Sequence, residues 1–121
     1  MTANEFRRIA LGMEGASEGQ HMGHPDFRVN GRIFATLTED GSRGMVQLTP
    51  EQQQEFMSAS PETFVPASGA WGRGGSTMVQ LANVDGDTLG EAMTLAWQKA
   101  VAAKKSKAKP RSKPKPKPKR R

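Results

Sequence analysis

The Asn30-Gly31 dipeptide is the feature that most constrains the fold, because it lies between two segments typical of β-strands, residues 26–29 and 32–37. Asn-Gly readily adopts the two positive φ angles of a type I′ turn, which predicts an antiparallel hairpin. A two-residue turn would pair Val29 with Arg32 and Phe27 with Phe34. Both faces of this hairpin would then be partly apolar. Either both faces are covered, or the loop is longer than two residues.

Three helices are predicted from N-terminal capping signals. Thr2 and Glu5 form the capping-box pattern, as do Thr49 and Gln52, and a third opens near residues 85–88 through Asp85 or a box of Thr88 with Glu91. Short strands are expected at 45–48 and 77–81, and residues 64–76 should be irregular. The fold class is therefore α+β, with a small antiparallel sheet flanked by helices.

A short internal repeat accompanies two of these strands. Met-Val-Gln-Leu occurs at residues 45–48 and again at 78–81, each time after a turn containing glycine and before a helix. Two central strands could share these residues by convergence. The alternative is a pseudo-repeat of two turn–strand–helix units, and four residues leave both interpretations open.

Charge is divided sharply along the chain. Residues 104–121 contain eight lysines, three arginines and no acid, a net charge of +11, whereas seven basic and twelve acidic residues give the remainder −5. This C-terminal segment has no large apolar residue, so nothing offsets the entropy of ordering it. We predict one folded domain at residues 1–103 and a disordered basic tail at 104–121.

Several classes of function are disfavoured by composition. The chain has no cysteine, which excludes disulfides, thiolate metal sites and a cysteine nucleophile. No apolar run suggests a membrane span, and the N-terminus lacks the features of a signal peptide. No serine lies in a nucleophile elbow. We expect a non-enzymatic cytoplasmic protein without a cofactor, and association with the nucleoid would be compatible with its tail.

The tail is the strongest candidate site, because dense cationic charge binds phosphates through counterion release without fixed structure. Such binding reads phosphates and not bases, which predicts sequence-independent association with DNA or another nucleic acid. Alternatively, the tail aids solubility or docks on the acidic domain. The tail cations are Lys104, Lys105, Lys107, Lys109, Arg111, Lys113, Lys115, Lys117, Lys119, Arg120 and Arg121.

The domain itself offers weaker candidates. Arg28, Arg32 and Arg73 are secondary phosphate ligands on turns and strands. The segment 71–75, Trp-Gly-Arg-Gly-Gly, combines an aromatic ring with a cation, as a base-stacking loop would, although the tryptophan could equally anchor a glycine-rich hairpin. A second hypothesis is a protein- or ligand-interaction module with a pocket near His24 and Trp71, whose partner is unknown.

A metal site at His21, His24 and Asp26 is not expected. Histidine and carboxylate are suitable ligands. Pro25, however, prevents a helix from presenting both histidines on one face, and no fourth ligand is evident.

Seven segments form an ordered set within residues 5–101: Arg7-Arg8-Ile9-Ala10-Leu11, Gly23-His24-Pro25-Asp26-Phe27-Arg28-Val29, Gly31-Arg32-Ile33-Phe34-Ala35-Thr36-Leu37, Leu48-Thr49-Pro50-Glu51-Gln52-Gln53, Trp71-Gly72-Arg73-Gly74-Gly75, Val79-Gln80-Leu81 and Ala96-Trp97. With these segments, most of the domain resembles the YjbR/MmcQ family. The resemblance implies a CyaY-like, frataxin-like α+β fold, and a DNA-binding label that rests on analogy with a "double wing" of sheet hairpins. Arg32 stands where members usually have lysine, Gly12-Met13 replaces a frequent Leu-Pro, and the lysine tail is an addition.

Overall fold

The fold is an α+β domain in which a six-stranded antiparallel sheet is combined with four helices. The computed structural model describes residues 1–21 and 23–107, with side chains described for all of them except His21 and residues 103–107. The elements in chain order are α1 (Ala3–Leu11), β1 (Ser17–His21), β2 (His24–Val29), β3 (Arg32–Leu37), β4 (Arg43–Gln47), α2 (Pro50–Ala59), β5 (Phe64–Pro66), α3 (Gly69–Arg73), β6 (Ser76–Gln80) and α4 (Gly86–Lys107).

The predicted hairpin forms between β2 and β3, but its register differs from the prediction. Asn30 and Gly31 have φ angles of 53° and 80°, and Val29 pairs with Arg32 as expected. Phe27 pairs with Ala35 and not with Phe34, because the register shifts between Phe27 and Arg28. This bulge lets the consecutive residues Phe34 and Ala35 both become buried. A regular register would have left both faces of the hairpin partly apolar, as expected from the sequence.

One face of the sheet forms the core beneath α1 and α4. Phe6 of α1 packs on Phe27 of β2 with ring centroids 6.0 Å apart, and both side chains are fully buried. Strand residues alternate between this face and the opposite one. On the opposite face, Met45 and Met78 are half-buried and lie directly across from each other in β4 and β6. The two copies of the Met-Val-Gln-Leu repeat are thus paired neighbours in the sheet order β1-β2-β3-β4-β6-β5.

The capping predictions hold for α1 and α2, and at α4 the structure shows the first of the two predicted alternatives. Thr2 with Glu5 and Thr49 with Gln52 form complete capping boxes at α1 and α2. At α4 the cap is Asp85, whose Oδ1 accepts a hydrogen bond from the backbone N–H of Thr88 at 2.7 Å. The carboxylate reaches the N–H groups at the start of the helix, so a box built on Thr88 is not needed.

Three short elements lie where no regular structure was predicted: β1, β5 and α3. β1, with the sequence Ser-Glu-Gly-Gln-His, has no apolar alternation and is an edge strand held by its pairing with β2. α4 extends to Lys107, so the first four residues of the predicted tail continue this helix. The remaining tail, 108–121, lies outside the described residues.

Candidate nucleic-acid interface

The strand register shows which turns and helices lie at the same end of the sheet. Val29 pairs with Arg32 beside the β2–β3 turn, and Ala35 then pairs with Val46 near the end of β4. Gln47, the last residue of β4, pairs with Ser76, the first residue of β6. Because α3 immediately precedes β6, the β2–β3 turn and α3 lie at the same end of the sheet.

The C-terminal part of α4 reaches this same end. The helix begins at Gly86, shortly after Leu81. The backbone N–H of Leu81 donates to the carbonyl of Ser42 in the β3–β4 turn, which lies at the end of the sheet opposite the β2–β3 turn. Further along, the Trp97 indole Nε1 donates to the Glu14 carbonyl at 2.9 Å. Glu14 adjoins Gly15, which packs against Val29 at the β2–β3 turn. At about 1.5 Å per residue, α4 continues roughly 15 Å beyond Trp97 to Lys107.

We call this end of the molecule the basic end: the β2–β3 turn, α3 and the C-terminal part of α4. Arg32 and Arg73 are exposed there, and the side chain of Trp71 is 74 % exposed. The backbone of Lys104, Lys105 and Lys107 lies in the last turns of α4. The other predicted tail ligands lie outside the described residues, and they follow in sequence from this end. These are Lys109, Arg111, Lys113, Lys115, Lys117, Lys119, Arg120 and Arg121.

Carboxylates gather at the other end, the acidic end, formed by the β3–β4 turn and the N-terminal ends of α1 and α4. Backbone N–H donors stabilise three of them in the ionised form: Thr2 lowers the pKa of Glu5, Thr88 lowers that of Asp85, and Ser42 lowers the pKa of Asp40 to about 2. Further exposed carboxylates at this end are Glu39, Glu62 and Asp87.

The separation of charge is marked but incomplete. Arg43 is exposed at the acidic end, where it pairs in register with Gln80. Glu14 and Glu51 lie towards the basic end. Arg8 also lies at the acidic end, in a surface depression that it lines with Glu5, Asp85 and Gly86. Even so, six of the twelve acids of residues 1–103 lie at the acidic end, whereas Arg32, Arg73 and the start of the tail lie at the basic end.

Arg28 has a partner within the domain. Its Nε and Nη2 donate to the two carboxylate oxygens of Asp26 at 2.7 and 3.0 Å, and Asp26 is fully buried. The hydrogen bonds to Asp26, and then its charge, raise the pKa of Arg28. This guanidinium is therefore held in a bidentate pair, and of the three arginines singled out in the sequence, Arg32 and Arg73 are the ones free to meet a ligand.

The structure does not bring His24 and Trp71 together. His24 pairs with His21 in the β1–β2 hairpin, whose Gly23 lies near the Glu39 carboxylate at the acidic end. Trp71 lies at the basic end, beyond β3 and β4. These two residues cannot line one pocket. Among the side chains that the structure describes, which do not include His21, no three histidine, aspartate or glutamate residues are grouped to hold a metal ion.

The segment around Trp71 is a helix and not a hairpin, and its backbone is packed tightly against the domain. A Cβ added at Gly72 would lie 1.9 Å from the Ala67 carbonyl oxygen, and one added at Gly75 would lie 1.8 Å from that of Leu48. Only glycine allows such close backbone approach. Trp71 does not anchor this segment, since its own side chain points into solvent.

Gln53 of α2 supports α3 from the buried side, a role that sequence reasoning missed. Its Nε2 donates to the carbonyls of Gly72 and Ser76 at 3.0 and 3.1 Å and to the Thr77 hydroxyl at 3.2 Å. Gln53 is only 7 % exposed. In the run of three glutamines at 52–54, no local signal marks which one is buried.

The described helices include none with the length and apolar character needed to cross a membrane.

Comparison with known proteins agrees with the fold described above. The YjbR family model matches residues 11–99. The crystal structure of Deinococcus radiodurans protein DR2400, which carries a DUF419 domain, has a similar fold with a TM-score of 0.68. The two chains are 21 % identical, and the similarity covers 79 % of this chain and 75 % of that one. No curated protein matches the sequence. With the family model spanning most of the folded domain, this chain belongs to the YjbR family.

Proposed function

We propose that this protein binds nucleic acid without sequence preference, that the tail supplies most of the affinity, and that the basic end of the domain faces the ligand. The observation that carries the proposal is the polarity of the folded chain. The +11 tail continues from the end where Arg32, Arg73 and Trp71 are exposed, opposite the acidic end.

Electrostatics favours this orientation. Apart from the tail, the chain carries −5, so a polyanion would repel the domain as a whole. The repulsion is smallest when the acidic end points away from the phosphates. A tail that leaves from the acidic end would pull those carboxylates towards the ligand, whereas α4 runs away from that end before the tail begins.

A salt series on duplex DNA tests the proposal. For duplex DNA the slope of log K against log salt is about −0.9 per phosphate neutralised, so engagement of all tail cations would give about −10. Lysines on alternating positions of an extended chain cannot all face one phosphate track. We therefore expect a slope of roughly −4 to −8 and similar affinities for unrelated sequences.

Two variants separate the tail from the domain. A chain that ends at Lys107 keeps α4 intact and should lose most of its affinity at about 0.15 M salt, where the Debye length is about 8 Å. A double variant, Arg32→Gln with Arg73→Gln, should lose less, and Arg43→Gln at the acidic end is the matched control. If the shortened chain keeps its affinity and the Arg32→Gln, Arg73→Gln variant loses it, the basic end of the domain, and not the tail, binds the nucleic acid. If no chain binds nucleic acid, the interaction-module hypothesis replaces this one.

A further inference from the structure

We infer that Trp71 is a stacking platform for an unpaired nucleobase, so that the domain, and not the tail, gives this protein a preference for single-stranded over duplex nucleic acid. The inference rests on the proposed function and names the form of nucleic acid that the basic end would favour. It starts from the exposure of Trp71, whose side chain is 74 % accessible, the largest value among the exposed large hydrophobic residues.

The second tryptophan shows what a structural role looks like in this fold. Trp97 is half-buried against the core, and its indole N–H donates a hydrogen bond to the Glu14 carbonyl. Among the side chains that the structure describes, residues 1–20 and 23–102, the Trp71 indole and the Arg73 guanidinium take part in no hydrogen bond or ion pair. Trp71 therefore stands outside the hydrophobic core cluster, and its indole N–H stabilises none of these residues through a hydrogen bond.

The backbone that carries Trp71 is nevertheless held firmly. Gln53 donates to the Gly72 carbonyl, and Gly72 and Gly75 lie against the backbone of Ala67 and Leu48. A rigid support limits the conformational entropy that a presented side chain loses on binding. Buried polar groups and close glycine contacts thus position an aromatic ring whose face is open to solvent.

Surrounding charge indicates what the ring would bind. Trp71 and Arg73 flank the buried Gly72, and Arg32 is exposed at the same end of the sheet. An exposed aromatic ring at the end of the molecule that also carries exposed cations suits a flat base attached to a phosphate backbone. Bases inside a duplex are stacked on one another and present only their edges, so away from the duplex ends the indole could stack only on an unpaired base.

The test compares full-length chains on two labelled ligands at about 0.15 M salt: an oligo(dT) of about 20 nucleotides and a duplex of the same length. Trp71→Ala should weaken binding of the single strand by about 5- to 100-fold, since stacking on an aromatic residue typically accounts for this much per base. Duplex affinity should change by less than about twofold. Trp71 emission should also be quenched by the oligo(dT).

Two matched variants make the result specific. Trp71→Leu keeps an apolar side chain without a π face and should lose as much affinity as Trp71→Ala. Leu11→Ala removes another exposed hydrophobic residue, 38 % accessible on α1, and should have no effect. The inference is overturned if Trp71→Ala binds the single strand like the wild type, if Trp71→Leu retains full affinity, or if both ligands are weakened equally.

These experiments can distinguish failure of the stacking platform from failure of the proposed role of the tail. Loss of duplex binding on removal of residues 108–121, with no effect of Trp71→Ala, would leave the proposed function standing and reject the stacking platform. A single-strand preference that depends on Trp71, in a protein whose shortened form still binds the duplex, would support the platform and reject the dominant role of the tail.

Discussion

The side-chain Nε2 of Gln53 lies 3.0 Å from the carbonyl oxygen of Gly72, and this contact joins α2 to α3 across 19 residues of sequence. The same amide nitrogen also reaches the Ser76 carbonyl and the Thr77 hydroxyl. One buried side chain therefore sets the position of the short helix that presents Trp71.

Replacement of Gln53 should destabilise the domain. Gln53→Ala would remove this donor from the carbonyls of Gly72 and Ser76, which keep the backbone N–H groups of Gly75 and Ala67 as donors. The expected cost is therefore that of a lost hydrogen bond, about 0.5–1.5 kcal/mol in the free energy of unfolding. Urea denaturation followed by circular dichroism measures the loss. Gln54→Ala, an exposed neighbour on the same helix, is the control and should change stability little. Equal effects of the two substitutions would contradict the role of Gln53.

Two glycine-to-alanine changes should have opposite signs. At Gly44 an added Cβ would lie 2.3 Å from Cε2 of Phe6, which is fully buried and has no room to move. Gly44→Ala should therefore cost about 1–3 kcal/mol through overpacking. At Gly90, within α4, an added Cβ meets nothing within 4 Å.

Gly90→Ala should accordingly stabilise the protein by about 0.5–1 kcal/mol, because alanine loses less backbone entropy in a helix. Both values come from urea unfolding midpoints at a common slope. A stabilising Gly44→Ala would show that α1 does not pack on β4 as described.

Asp40 should make stability depend on acid pH. Its carboxylate accepts hydrogen bonds from the Ser42 backbone N–H and from the hydroxyls of Thr38 and Ser42, which lower its pKa from 3.8 to about 2. A pKa lowered by folding means that the stabilisation is fully present above about pH 3.8 and is lost as the pH falls through about 2.

Asp40→Asn should therefore be less stable than the wild type near neutral pH, and the difference should shrink as the pH falls below the ordinary pKa of an aspartate. Thermal unfolding across a pH series measures it. The adjacent Glu39→Gln removes an exposed carboxylate of the same turn and serves as the control. A difference that stays constant down to about pH 2 would argue against ionisation as its origin.

Local interactions explain what the sequence determined by itself. The capping boxes of α1 and α2 join residues three apart, and the Asn30-Gly31 turn depends on the φ preferences of those two residues. Each capping box and the turn can be recognised from a few neighbouring residues in the sequence. The separation of a −5 segment from a +11 tail is likewise a property of composition.

Only the tertiary structure decided the features that join distant segments. The bulge that pairs Phe27 with Ala35 arises because Phe34 and Ala35 both gain by burial, and β1 becomes a strand because β2 offers it an open edge. The burial of Gln53 depends on where α3 lies, and the polarity between the basic and acidic ends depends on strand register and the direction of α4. These outcomes are set by contacts across many residues, whose free energies no local pattern contains.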